Sequence, residues 1–329
     1  MKIGVLCPSE IAFRRFMPAL KKSGLFEFVG VAFATADEWH GGGFFAEEQG
    51  KAENFCKEYG GKVIAGYTNL LASDADCVYI PLPPALHFDW AKKTLKNGKH
   101  ILLEKPFTTN LQHTQTLLDI AKASNLAVHE NYMFQFHSQI AYIQEELAKG
   151  TIGETRLIKI DFGFPFRGTN DFRYSKEMGG GALLDCGGYT VKLAAILLGK
   201  TAKIANFNLN YSPNFAVDLF GNATMTNENG TTAQLSFGMD NDYRCNLDIW
   251  GSKGSIFTDR ILTAPADFPP TVRIRVAQKD NLQKLPADDS FLKSIQFFGD
   301  CVGNVDVRVQ SYDDVLRQAV LMEEMLGGG

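Results

Sequence analysis

The sequence has no cysteines in CxxC spacing: its six, Cys7, Cys56, Cys77, Cys186, Cys245 and Cys301, stand singly among apolar neighbours. That pattern excludes a disulfide framework or a zinc ribbon and fits reduced thiols, so no metal is expected. A basic stripe is missing too. Lys and Arg number 33 against 37 Asp and Glu, a net charge of −4, whereas nucleic-acid binding needs clustered cations to neutralise phosphates; nucleic acid is not an expected partner. No apolar run reaches membrane-spanning length. The stretch from Met1 to Leu6 stops at Pro8, too short for a secretory core segment, and the chain reads as cytoplasmic with no membrane partner. What is present is ordinary: 45% apolar and 21% charged residues over 329 positions, a globular composition at a length that suggests two domains.

Over residues 1–127 short apolar runs alternate with amphipathic stretches, the pattern of βαβ units around a parallel sheet. Strands are expected at 2–6, 28–34, 77–80, 100–103 and 127–129. Helices between them include 89–97, closed by Gly98, and 111–124, where Leu117, Leu118 and Ala121 share a face and Asn125 is a stop. This half is expected to be a doubly wound nucleotide-binding domain. In residues 128–329 a helix at 138–149 is followed by period-two alternation at 156–162, 233–237, 246–250 and 271–276, where Val272, Ile274 and Val276 oppose Arg273 and Arg275. These strands predict an α+β domain with a large, mostly antiparallel sheet, covered on one face by a helix at 182–198 and open on the other. A last helix at 312–325 is expected to pack back on the body, and no internal repeat is found.

Two constellations can carry chemistry. Glu104-Lys105-Pro106 stands at the C-terminal end of what reads as the fourth strand, where open α/β sheets place their ligands. Lys105 can donate there to a nicotinamide ribose or a substrate oxygen, with Pro106 fixing the turn that aims it. The second is Gly179-Gly180-Gly181 followed by Asp185, Gly188 and Tyr189. On a helix Asp185 and Tyr189, four apart, face the same way, and an acid and a phenol beside glycines can bind and protonate a carbonyl. Each alone has a bland alternative, a surface lysine by a loop proline or a glycine-capped helix.

Together they resemble the Gfo/Idh/MocA family of NAD(P)-dependent oxidoreductases, and the resemblance covers nearly the whole chain. Pro81-Leu82-Pro83 with His87, Asn97-Gly98-Lys99-His100, Gly150-Thr151-Ile152-Gly153-Glu154, Gly251-Ser252-Lys253-Gly254 and the helix from Ser311 fall where that family has similar signatures. Glu130-Asn131-Tyr132-Met133-Phe134-Gln135 with His137-Ser138-Gln139, and Asp171-Phe172-Arg173-Tyr174, look most like the branch of sugar 3-ketoreductases acting on nucleotide-linked hexoses. The resemblance implies a Rossmann domain, an α/β domain whose open sheet face mediates a homodimer or homotetramer, Lys105, Tyr189 and Asp185 as catalytic residues, and a dinucleotide site including Cys7, Ser9, Glu10, Ile11, Thr35, Pro81, Leu82, His87, Glu104 and Lys105.

The sequence departs from that pattern in places. Cys7 and Ser9 stand at two glycine positions of the phosphate loop, so each Cβ takes space near the phosphates, although the helix start near Glu10 still offers N–H groups. Arg14 and Arg15 read as a solvated helix face. Residues 33–36 lack the acid that reads a ribose 2′-hydroxyl, which tips the NAD(P) expectation toward NADP. An insertion at 39–45 with three glycines follows. Tyr189 stands where many members have histidine, Lys192 where many have an acid, which leaves a second polar substrate contact there open, and His87, His129 and His137 read as structural rather than catalytic. The implied reaction is hydride transfer between nicotinamide and a sugar carbon, a keto group of a nucleotide-linked hexose. Alternatives are a dehydrogenase of free sugars, polyols or trans-dihydrodiols, and a non-catalytic dinucleotide- or sugar-sensing protein.

Overall fold

Ile3, Gly4, Val5 and Leu6 are all buried, so strand β1 (Lys2–Leu6) is covered on both faces, as in a parallel sheet sandwiched by helices. A computed structural model, describing residues 1–38 and 45–327, shows that sheet. With β2 (Glu27–Phe33), β3 (Lys62–Ala65), β4 (Cys77–Ile80), β5 (His100–Leu103) and β6 (Val128–Glu130) the order is β3-β2-β1-β4-β5-β6, every neighbouring pair parallel. Helices α1 (Met17–Ser23), α2 (Phe45–Tyr59), α3 (Tyr67–Leu71), α4 (Pro84–Lys96) and α5 (Leu111–Ala123) make the crossovers. The expected strands are present, with one correction. Strand β3 was not anticipated, because this four-residue edge strand is mostly exposed and offers no buried run to read; Glu104-Lys105-Pro106 therefore follows the fifth strand, not the fourth. Residues 39–44 of the expected insertion lie outside the described residues.

The chain forms two units: Met1–Asn131 with Phe291–Arg317, and Tyr132–Ser290 with residues from 318 onward. The first is thus discontinuous, where the sequence suggested one boundary after residue 127. The second unit contains α6 (Ser138–Ala148), β7 (Thr155–Gly163), α7 (Gly188–Leu198), β8 (Lys203–Tyr211), β9 (Asp218–Thr226), β10 (Thr232–Gly238), β11 (Arg244–Gly251), β12 (Gly254–Asp259), β13 (Thr271–Val276) and β14 (Lys279–Lys284). Its sheet order is β14-β13-β12-β11-β7-β10-β9-β8, antiparallel except for the parallel β7–β10 pair. Helix α7 packs on β7 and β10, over buried Ile158, Ile160, Leu235 and Phe237. On the opposite face of the sheet Lys159 of β7, Gln234 of β10 and Asp248 and Trp250 of β11 are exposed. The strands at 156–162, 233–237, 246–250 and 271–276 are as expected; β14, exposed along its whole length, had no apolar face to betray it.

The segment returning to the first unit carries α8 (Ser290–Gly303) and the start of α9 (Val305–Leu326). Buried Arg308 fastens it: Nε donates to the carbonyl of Cys301 (2.9 Å), a terminal nitrogen to that of Val302 (2.6 Å), and the other to that of Asn125 just past α5 (2.9 Å). Ser311 and Tyr312 add hydroxyl donors to the carbonyls of Val128 (2.7 Å) and Leu126 (2.6 Å). Among the described residues no helix is long and apolar enough to cross a membrane, and no group of three His, Cys, Asp or Glu is placed to hold a metal.

Candidate active site

The strand order of the first unit reverses between β1 and β4, the position at which doubly wound sheets bind dinucleotides. Cys7 leaves β1 with φ +105°, a left-handed conformation that glycine adopts freely and cysteine does not. The main chain thus follows the glycine-loop path with a side chain attached. The Cys7 sulfur lies 4.0 Å from Glu48 Oε2; burial, then the Glu48 charge, pushes the thiol up to about 12, so it stays protonated. Ser9 Oγ accepts from the N–H of Ala12 at 3.3 Å, a helix cap. Glu10 and Ile11 open the helix, where no preceding turn supplies acceptors for their N–H groups. This loop fits a pyrophosphate on its N–H groups. A π-helical turn, Ala12–Phe16, precedes α1. Arg14 pairs with Glu10 (3.2 Å) on the surface, and Arg15 lies over the Phe291 ring.

At the end of β2 the Thr35 N–H donates to Glu38 Oε2 (3.1 Å), and the same carboxylate accepts from the N–H groups of Tyr67 (2.8 Å) and Thr68 (3.0 Å) and from the Thr68 hydroxyl (2.7 Å). Burial works against its charge, but these donors more than offset that and hold the carboxyl below its usual range. Sequence reasoning passed over Glu38, which lies just beyond the strand end. Pro81 and Leu82 are buried at the end of β4. His87 is fully buried, its Nδ1 2.8 Å from the Pro106 carbonyl and its Nε2 2.7 Å from that of Leu82. Burial takes its pKa down to about 4 against the pull of those carbonyls. A ring sealed this way ties the Pro81-Leu82 turn to the Lys105-Pro106 turn and has no surface for a cofactor, which corrects the expectation for His87. Glu104 Oε1 accepts from Tyr79 Oη and Asn131 Nδ2, both at 2.6 Å, and Lys105, half-buried, follows it.

In the second unit the helix expected at 182–198 opens as a π-helical turn, Leu183–Gly187, before α7. Asp185 sits in that wider turn. Its Oδ2 accepts from Arg173 Nε at 2.8 Å, and Arg173 also reaches Asp171 at 3.1 Å. The carboxylate is therefore ion-paired rather than standing alone beside the phenol, and Arg173, quoted in a motif but given no role from the sequence, is its partner. The glycine triplet makes this possible: Gly180 and Gly181 donate to the carbonyls of Ser175 and Arg173, both at 2.9 Å, and a Cβ at Gly180 would strike the Arg173 main chain. Gly181, at φ +122°, also abuts Asp218, whose Oδ2 accepts from the Leu183 N–H at 2.7 Å. Burial raises Asp218 to about 6. Tyr189 is 8% exposed, its ring edge-on to Tyr132 (5.1 Å) and Phe162 (5.3 Å) and tilted on Phe134 (5.7 Å), so its hydroxyl is aimed by packing. Lys192 is buried, which takes it out of the open positions where a substrate contact was considered.

Family models of the oxidoreductase family with NAD-binding Rossmann fold and of the GFO/IDH/MocA C-terminal domain match residues 25–132 and 140–257. Over 100% of its length the chain is 35% identical to the dTDP-3,4-didehydro-2,6-dideoxy-alpha-D-glucose 3-reductase of Actinomadura kijaniata, covering 95% of that protein. The chain belongs to the Gfo/Idh/MocA family. It is also 35% identical to the reductase of the same name from Saccharopolyspora spinosa, over 98% of this chain and 96% of that one. Among solved structures it is similar to KijD10, a 3-ketoreductase from Actinomadura kijaniata in complex with NADP and TDP-benzene, with TM-score 0.91, 35% identity, and coverage of 100% and 97%. An aldose-aldose oxidoreductase from Caulobacter crescentus, 18% identical at TM-score 0.86, shares the fold. In this Gfo/Idh/MocA oxidoreductase the loop after β1 carries a cysteine in a left-handed conformation.

Replacing that residue, Cys7→Gly, removes both the left-handed side chain and its Cβ. We expect a net gain in stability of up to ~1 kcal/mol, the strain relieved less the added chain entropy, and dinucleotide binding tighter by ~3- to 10-fold in a fluorescence titration. Weaker binding would show the thiol itself to be a ligand. Asp218 gives a pH signature: its folded pKa lies above the unfolded one, so the protonated form favours the fold and that stability is lost as pH rises from about 4 through about 6. Asp218→Asn keeps an acceptor for Leu183 and should be more stable than the wild type by ~1–3 kcal/mol at pH 8 but not at pH 4, by urea denaturation at both.

Proposed function

We propose that the protein reduces a keto group of a nucleotide-linked hexose with NADPH. The observation carrying this reading is the full-length likeness to KijD10 and to reductases named for a dTDP-linked keto sugar. Glu38 supports NADP: its carboxylate is spent on Thr35, Tyr67 and Thr68 and so is not itself turned out to select the 2′-hydroxyl of NAD. Bound nicotinamide supplies the hydride. The remaining work belongs to the chain. Tyr189 gives its phenolic proton to the carbonyl oxygen as negative charge grows there, and Lys105 donates a hydrogen bond to that oxygen or to the nicotinamide ribose. Asp185, steadied by Arg173, holds a sugar hydroxyl. A dehydrogenase of free sugars, polyols or trans-dihydrodiols and a non-catalytic sensor are not favoured.

We also propose a homodimer or homotetramer through the open sheet face. In register on that face lie Phe220, Asp161, Asn246, Lys159 and Trp250, with Trp250 66% and Phe220 49% exposed. Large exposed rings on a flat sheet are what a second copy covers. Trp250→Glu should lower the mass by at least half in light scattering; an unchanged mass sinks this face as the contact.

For the reaction, Tyr189→Phe keeps the packing and should lower kcat by ~10²-fold or more while NADPH binding persists. Lys105→Ala should cost a similar factor. Normal turnover of a dTDP-linked keto sugar by either variant removes that residue from the chemistry.

A further inference from the structure

Glu104 is the end of a hydrogen-bond chain that the reaction as described does not use. The chain starts at His129 on β6 and passes through Ser294 on α8, in the segment that returns to the first unit. His129 Nε2 lies 2.9 Å from Ser294 Oγ; Ser294 Oγ donates to Asn131 Oδ1 at 2.8 Å; Asn131 Nδ2 donates to Glu104 Oε1 at 2.6 Å. Ser294, Asn131 and His129 are 0%, 1% and 2% exposed. The polarity of the chain follows from elementary donor and acceptor counts. At 2.6 Å from a carboxylate Asn131 must present its NH2, so its oxygen faces Ser294. The single hydroxyl hydrogen of Ser294 goes to that oxygen, which leaves its lone pairs for the Nε2–H of His129. Every donor points toward Glu104, and Tyr79 Oη donates to the same oxygen at 2.6 Å from the other side.

We propose that Ser294 is a positioning residue: through Asn131 it fixes the Glu104 carboxylate, in its ionised form, beside Lys105. A buried carboxylate loses hydration and is held charged only by donors and nearby cations. Burial raises Glu104, and Tyr79, Asn131 and the Lys105 charge oppose that rise. Without Ser294 the Asn131 amide is free to turn, and an oxygen facing Glu104 repels the charge instead of supporting it. The other charged or titratable groups near this point are Glu130 on β6, whose Oε1 accepts from the Phe107 N–H at 2.7 Å, and His87 on α4, held by the carbonyls of Leu82 and Pro106. Neither bonds Glu104.

The inference rests on Lys105 serving the proposed reaction, so its test begins without substrate. In full-length protein carrying 13C-carboxyl glutamate, the Glu104 resonance, assigned by its loss in Glu104→Gln, is titrated by NMR. Ser294→Ala should move its midpoint up by ~1 pH unit or more, and Ser294→Thr, which keeps the hydroxyl, should restore it. Tyr79→Phe, which removes the other donor, should move it in the same direction and serves if Ser294→Ala does not fold. An unmoved midpoint in folded Ser294→Ala, with only a lower melting temperature, overturns the proposal. The acid limb of kcat/KM against pH should follow the NMR shift. A moved midpoint with unmoved kinetics upholds the chain from Ser294 and overturns the role of Lys105 instead.

Discussion

All strands of the first sheet run the same way, and that constraint decides where chemistry can sit. Parallel strands deliver their C-terminal ends to one edge, and the loops that leave it here begin at Cys7, Ala34, Gly66, Pro81, Glu104 and Asn131. Residues far apart in sequence therefore meet without any long-range motif to announce them. The edge is also where polar groups concentrate, because the central strands β1, β4 and β5 are buried on both faces. Glu38, Glu104 and Glu130 each accept from main-chain or side-chain donors within a few residues of a strand end, so the carboxylates that line the edge are already spoken for by the fold.

In the second unit the comparable constraint is close approach. Glycines at 180 and 181 let the main chain lie against Arg173 and Asp218, and those two side chains then set Asp185 and the turn that begins at Leu183. Tyr189 follows on α7 with three aromatic rings around it. The triplet is thus room for the protein's own chain.

How much of this could be read in advance depended on range. β1, β4 and β5 were legible because buried runs mark strands covered on both faces, and the alternation in β13 marked a sheet with one open face. β3 and β14 were not, because exposed strands have no hydrophobic pattern. The motifs around Lys105 and Tyr189 stood out locally in the sequence. Their supports did not: Arg173 stands 12 residues from Asp185 and Ser294 stands 163 from Asn131, and no periodicity links residues at such separations. The structural reading of His87 agrees with its burial between two carbonyls, but the cofactor contact implied by the resemblance fails, since nothing in its own helix shows those carbonyls.

The return of residues 291–317 to the first unit has a consequence for synthesis. Its sheet and crossover helices are complete by Asn131, yet Arg308, Ser311 and Tyr312, which bond the carbonyls at 125, 126 and 128, come after the whole of the intervening unit. At ~5–20 residues per second on the ribosome, roughly 10 to 30 s separate the two. During that interval the nascent nucleotide-binding half waits with the end of its sheet uncovered, and the later half is made while the earlier one is still open. The first unit is completed only after most of the second has been made.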